Sequence, residues 1–420
     1  MQTAEEIITT EAQPPVRPRP WTVLSSGAFR KLWSATILSL LGDFFSYVAM
    51  AWLVLQLTGS SLALGTVLVI QALPRAVLMV VGGALADRVS PRLTMLGSMS
   101  LRALSVAPLA ALILTGHVQM WQVYAIAAIF GVVDAFFMPA RMSILPSVVK
   151  DHELEPGNAL LNLTSQASVV VGPILGGLVV ASLGVGWAFA ADAAFFTIGF
   201  LFILWLPVAA RDRSSDSSAG KRLGGQIVAG LRYAWADIGI RSTLVVVAVI
   251  DFAANGAYGV GLPTLAHNRY GAGAAGLGIM LGAWGLGAAA GALAAGFIPP
   301  PTQFGWLLSL LCVWFGLGTL AVGVLPSVIP AAIVMAISGV GTGVVNTYGL
   351  SWLQRRTLPT MQGRVMSVLM LASMGLTPVA YAVSGAVAEI NVTALFVVAG
   401  AMSVLCGVAT AASRQVRELR

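Results

Sequence analysis

The feature that most constrains this chain is a series of apolar runs, each about 20 residues long, that recur from residue 32 to residue 412. A run of that length crosses the hydrocarbon of a bilayer as an α-helix, because lipid offers backbone amides and carbonyls no other partners. Twelve such spans are predicted, at about 32–57, 62–86, 93–115, 119–140, 157–183, 186–208, 241–266, 273–298, 305–323, 327–352, 364–388 and 391–412. Of the 420 residues 58% are apolar and only 9% are charged, which excludes a soluble helical protein. The expected fold class is an all-α membrane protein with twelve transmembrane helices, whose first partner is the lipid bilayer.

The polar remainder sets the boundaries and the orientation. Residues 1–29 hold Pro14, Pro15, Pro18 and Pro20 without an apolar core, and read as a disordered cytoplasmic tail rather than a cleaved signal peptide. Residues 210–240 form a linker that opens with the serine-rich stretch from Arg211 to Ser218. Within it Leu223, Ile227 and Leu231 recur every fourth residue beside Arg222 and Arg232, which predicts a short amphipathic helix lying at the membrane interface. This leaves an N-terminal bundle at 30–209, a C-terminal bundle at 241–413 and a final tail at 414–420. An even number of spans puts both termini on one side. Of the 23 lysines and arginines, twenty fall on that side and one, Arg269, on the other, while Arg75 and Arg102 lie within spans. Basic residues collect in cytoplasmic loops, so both termini are expected in the cytoplasm of a multi-pass plasma (inner) membrane protein. The same asymmetry accounts for the net charge of +7 without a nucleic-acid partner.

The two halves repeat. Leu64-Gly65 stands eighteen residues before Gly83, and Leu277-Gly278 stands eighteen before Gly296. Asp43-Phe44 mirrors Asp251-Phe252, Leu145-Pro146 mirrors Leu358-Pro359, and Pro173 mirrors Pro378. The matches fall in one order along both halves, which predicts two pseudo-symmetric six-helix bundles with a binding site near the midplane between them.

Ionisable groups inside spans are costly and mark function or a fixed ion pair. Asp43, Asp251 and Asp134 are the candidates for proton coupling, and Arg75 and Arg102 for a charge network with them. A static pair of Asp43 or Asp134 with either arginine is the competing reading. Asp192, near the end of the sixth span, is expected to snorkel toward the headgroups. Asn158, Asn162 and Gln166 form a polar stripe at i, i+4, i+8 that faces either a substrate path or a neighbouring helix. Phe44, Phe45, Trp52, Met280, Trp284 and Met374 are divided between cavity lining, core and lipid. His117, His152 and His267 are scattered, and Cys312 and Cys406 sit inside apolar runs, so no metal site and no cofactor is expected. No phosphate-cradling Gly-x-x-x-x-Gly-Lys-Ser/Thr loop and no nucleophile–base arrangement is present, and an enzyme is not expected.

Two motifs carry a family resemblance. Gly83, Leu85, Ala86, Asp87 and Arg88, with Arg92 at the final basic place, match the loop between the second and third helices of major facilitator superfamily transporters. Ser90 and Pro91 depart from it where the family has Gly and a basic residue. Gly172-Pro173 followed by Gly176-Gly177 resembles the fifth-helix motif of the exporter branch. With Phe136 to Arg141, Gly157 to Leu160, Phe29 to Trp33 and Leu57 to Ser60, the chain is similar to the branch of macrolide-efflux proteins and enterobactin exporters. The resemblance implies a monomeric secondary transporter that exports a drug-like or natural-product small molecule by proton antiport and alternating access. It makes the Asp87 loop a conformational switch and the helix 5 glycines a packing motif, expected to lie against the other half. An importer or proton symporter, and a membrane sensor that binds without flux, are the rivals. The basic asymmetry places Lys221 of the linker in the cytoplasm. A membrane-impermeant amine reagent added to intact cells should leave Lys221 unlabelled until the cells are permeabilised, as read by peptide mass mapping; labelling from outside would reverse the orientation.

Overall fold

The structure is a computed structural model that describes residues 20–86, 90–207, 223–299, 303–417 and 419. The first half holds six helices: α1 Gly27–Thr58, α2 Ser61–Ala86, α3 Pro91–Leu114, α4 Met120–Ile144, α5 Leu154–Leu183 and α6 Val185–Leu204. The linker helix α7, Leu223–Ala236, precedes the second half. That half comprises α8 Ile238–Gly256, α9 Leu262–Asn268, α10 Gly273–Phe297, α11 Phe304–Val324, α12 Val328–Arg356, α13 Gln362–Met374, α14 Thr377–Ile390 and α15 Val392–Ala412. A single π-turn, Ala257–Gly261, joins α8 to α9 in one span, and α13 and α14 form another. Twelve spans result among the described residues, with no strand.

Several helices begin outside the apolar runs, because polar caps and not hydropathy set their ends. The Ser26 hydroxyl accepts from the Phe29 amide, so α1 starts before the apolar run. Asp237 accepts from the Gly239 and Ile240 amides at 2.8 and 3.1 Å and so starts α8. Asp237 also meets the Arg356 guanidinium at 3.0 Å. Partial burial alone would raise this carboxyl, but Arg356 and the two amides hold it below the usual carboxylate range. α6 stops at Leu204, where Lys31 and Arg92 donate to the carbonyls of Trp205, Ile203 and Leu204. Cations at a helix C-terminus satisfy carbonyls that have no intrahelical donor.

The linker helix forms where predicted, and it docks on the second half through small residues beside its apolar stripe. Ala234 is buried, and a methyl on Gly230 would come within 2.9 Å of Arg364, so these small residues dock α7 on the start of α13. Leu231 of the predicted apolar stripe is exposed, as is Trp235. These two are free to meet lipid at the interface.

The buried side chains show how the halves meet. One core is continuous across both halves and joins Trp52, Leu64 and Val67 of the first to Leu262, Leu277 and Met280 of the second. Toward the end that bears both termini the core divides. Leu32, Met99 and Phe137 pack within the first half. Leu244, Leu308 and Val365 pack within the second. The halves are therefore sealed at the Arg269 end and parted at the terminal end.

Glycines make that seal. A Cβ on Gly65 would come 2.8 Å from both the Tyr381 carbonyl and the Gly385 Cα of α14. A Cβ on Gly278 would strike the Pro173 carbonyl of α5 and come 3.3 Å from the Gly177 Cα. The α2–α14 and α5–α10 seams are thus one motif used twice, and Tyr381, not Pro378, holds the place in its seam that Pro173 holds in the other. Gly177 faces the other half as expected, whereas Gly172 and Gly176 pack on Phe44 and Phe45 of α1 in their own half. Polar contacts flank the seam. Glu389 accepts from the Ser60 hydroxyl and the Leu62 amide, both at 2.9 Å, and Ser61 meets Thr264 at 3.1 Å. Thr264 is 1% exposed here. A Thr264→Cys protein should therefore react slowly with an impermeant maleimide, and adding Gly65→Leu, which cannot keep the seam, should speed labelling roughly tenfold as overpacking of about 1–3 kcal/mol opens it.

Candidate functional site

Between the halves lies a cavity of about 550 Å³. The first half contributes Asp43, Tyr47 and Gln71 to its wall, together with Arg75, Arg102 and Asp134. The second contributes Asp251, Asn255, Tyr258, Trp284, Phe315 and Asn346. Every ionisable candidate inside the spans that the sequence singled out for coupling or a charge network reaches this one space.

Arg102 is the hub of the first half. Its side chain is 1% exposed, and one guanidinium nitrogen donates to Asp43 Oδ1 at 2.8 Å. The other terminal nitrogen donates to Asp134 Oδ1. Arg75 stands 4.0 Å from Asp134 Oδ2, which extends the network to α2. Three rings surround the guanidinium, with Phe130, Phe137 and Phe196 centroids 5.3, 5.0 and 5.0 Å from Cζ. A buried cation in hydrocarbon persists only with such carboxylate and ring partners. Asp43 differs from its partner in access: 38% of its side chain is exposed, and it opens on the cavity.

Asp192 does not snorkel. It is fully buried in α6, faces α1, and accepts from the Ser46 hydroxyl. A Cβ on Gly42 would come 2.6 Å from Asp192 Oδ1, so only glycine at that turn of α1 admits the carboxyl. The sequence expectation followed the position of Asp192 near a helix end, but the facing glycine and serine on α1 draw it inward. Gly42 and Ser46 flank Asp43 on α1 and are the signal that sequence reasoning passed over, since the facing of one helix to another is not visible along a linear chain.

In the second half Asp251 lines the cavity without an arginine or lysine in ion-pair reach among the described residues, and Ser373 is its polar neighbour. Asn255, one turn along α8, donates to Thr377 at 3.3 Å beside the break between α13 and α14. The π-turn that follows places Tyr258 and Gly259 on the cavity wall. Such turns recur at functional sites because they shift the register of side chains. Phe44 and Trp284 line the cavity, whereas Phe45, Trp52 and Met280 belong to the core.

Asn158, Asn162 and Gln166 are exposed and do not line the cavity itself. They share a helical face with Val169 and Pro173, which do, at steps of three and four residues. The stripe therefore continues the cavity wall toward the terminal end of α5. Asp87 and Arg88 of the loop lie outside the described residues, and Gly83 is placed only as part of α2. Arg92 caps α6, as described above.

Two six-span halves around a central cavity lined by charged and aromatic side chains define a membrane transporter rather than an enzyme. The nucleoside transporter NupG superposes with a TM-score of 0.71 at 14% identity, covering 92% of this chain and 98% of that one. The peptide transporter POT in complex with sulfate gives 0.70 at 14% identity, covering 92% and 94%. The chain belongs to the major facilitator family of transmembrane secretion effectors, which it matches over residues 18–420. The enterobactin exporter EntS of Escherichia coli O1:K1 is 26% identical over 80% of each chain. The multidrug efflux pump Tap of Mycolicibacterium fortuitum is 30% identical over 52% of this chain, which spans about half of Tap, 53%.

Replacing Arg102 leaves two carboxylates facing each other. Arg102→Met should lower the thermal midpoint of the detergent-solubilised protein through a loss of about 3–5 kcal/mol, and Asp134→Asn added to it should restore much of that loss. Unchanged midpoints would show that the network is not structural.

Proposed function

We propose that this protein is an exporter of drug-like or natural-product small molecules, driven by proton antiport through alternating access, and that it works as a monomer. Its family membership and its likeness to two exporters support outward transport of small molecules. With the termini in the cytoplasm, the seal at the Arg269 end is the outer gate and the cavity is accessible from inside. Rocking of the halves about the cavity would then break the glycine seams and bring the terminal ends together, where the Asp87 loop acts as a latch.

One observation supports the coupling above the others: Asp43 lies between solvent in the cavity and the buried Arg102. Ionised, it holds one nitrogen of the guanidinium. Protonated, it releases that nitrogen, and Arg102 turns wholly to Asp134. One proton thus changes a contact between α1 and the α3–α4 pair. Asp251 has no such cation to release among the described residues, so coupling is assigned to Asp43, with Asp134 next in line.

The test compares two modes of transport in reconstituted vesicles, using a substrate found by a resistance screen of cells with and without the protein. Asp43→Asn should lose accumulation driven by a pH gradient by roughly tenfold or more, because a fixed neutral group carries no proton. Downhill exchange should survive, because the seams and bundles are untouched. Uphill transport with the parent's pH dependence would remove Asp43 as the carrier and point to Asp134. Inward accumulation on the same gradient would favour a symporter.

A further inference from the structure

We propose that the cavity selects lipophilic organic cations and turns away anions of the same size, with Asp251 as the group that docks the positive charge. The proposal rests on the export reading only in taking the cavity as the substrate site.

The charges on the wall are Asp43, Asp134 and Asp251 against Arg75 and Arg102. Arg102 is engaged on both sides by Asp43 and Asp134, and Arg75 stands beside Asp134. The first half therefore holds two acids and two bases in one connected network. Among the described residues the charge left over on the wall is one carboxylate, and it sits across the cavity at Asp251.

The two halves explain why Asp251 is unmatched. Asp251 repeats Asp43 along the sequence, so a cation at the place of Arg102 would pair it. Counted from the starts of α3 at Pro91 and α11 at Phe304, Phe315 stands where Arg102 stands. Phe315 lines the cavity and has its ring 5.7 Å from Tyr258, and Tyr258 has its ring 6.4 Å from Trp284. Duplication has thus kept the acid and replaced its cation by an aromatic wall. A carboxylate and aromatic rings lining one cavity can together attract an organic ammonium or phosphonium ion, through Coulombic and cation–π terms. An anion meets the same rings but is repelled by the carboxylate, and both arginines that might receive it are already paired. Ser373, which hydrogen-bonds Asp251, is neutral, as are Asn255, Thr342 and Asn346 on the same cavity wall. The Trp284 indole nitrogen is buried with no hydrogen-bond partner, which adds one donor for an acceptor atom on the bound molecule.

The experiment uses two probes of nearly equal size and shape, tetraphenylphosphonium and tetraphenylborate, in equilibrium binding to the purified full-length protein in detergent, corrected for uptake by empty micelles. The parent should bind the cation at least roughly tenfold more tightly than the anion. Asp251→Asn should lose roughly tenfold in affinity for tetraphenylphosphonium and little for tetraphenylborate, while Asp251→Glu should retain the cation preference. Equal affinity of the parent for both probes would overturn the proposal without any variant. So would an Asp251→Asn protein that binds the cation as the parent does. Efflux is measured separately. Charge-selective binding without flux would defeat the export reading and leave this proposal standing, and flux of both probes without preference would do the reverse.

Discussion

A single guanidinium organises the first half of this transporter. Arg102 is carried on α3, and its partners come from α1 and α4, with rings from α4 and α6 closing over it. Few interactions are harder to rearrange than a paired charge away from water, because each partner separately carries a large desolvation cost. The helices around Arg102 are therefore held as a unit. Yet one partner, Asp43, reaches the cavity, so the most tightly constrained point of the half is also open to a proton. Among the described residues the second half has no equivalent tie. Its wall is aromatic, and its acid faces the cavity without a cation among those residues. The repeat built one scaffold twice, and the halves differ where Arg102 and Phe315 stand.

Much of this was legible in the sequence, and for a physical reason. Lipid forces every span to be long, helical and apolar, so twelve runs could be read directly. The low number of charges within spans made Asp43, Asp134, Arg75 and Arg102 stand out along the chain, because few reasons exist for an ion in a span. The recurrence of Leu64-Gly65 as Leu277-Gly278 announced the duplication as well.

What could not be read was facing. Periodicity says that Gly172 and Gly176 share a side of α5, but not that this side meets Phe44 while Gly177 meets α10. Leu231 sits on a proper apolar stripe, yet α7 docks through Gly230 and Ala234 because the chain beneath it, at Arg364, leaves room only for small groups. Asp192 looked peripheral by its count from the helix end. Its burial depends on Gly42 and Ser46, about 150 positions earlier, and no local pattern links them. Helix ends moved for a related reason: hydropathy tracks lipid, whereas Ser26 and Asp237 set where the hydrogen-bond ladder begins.

The glycine seams bear on how tightly this protein keeps its two sides apart. They run along two lines, α2 against α14 and α5 against α10, on opposite sides of the axis that relates the halves. At Gly65 and Gly278 backbone meets backbone, and Ile174 and Val169 of α5 pack on Gly282 and Gly285 of α10. Such close surfaces lose contact steeply with distance. Two rigid halves cannot open one line without shearing the other, since both lines belong to the same pair of bodies. On the alternating-access proposal, this end is a two-hinged door whose leaves swing together. The same pairing of small residues would then disfavour a state with one side ajar, through which protons or ions would leak down their gradients.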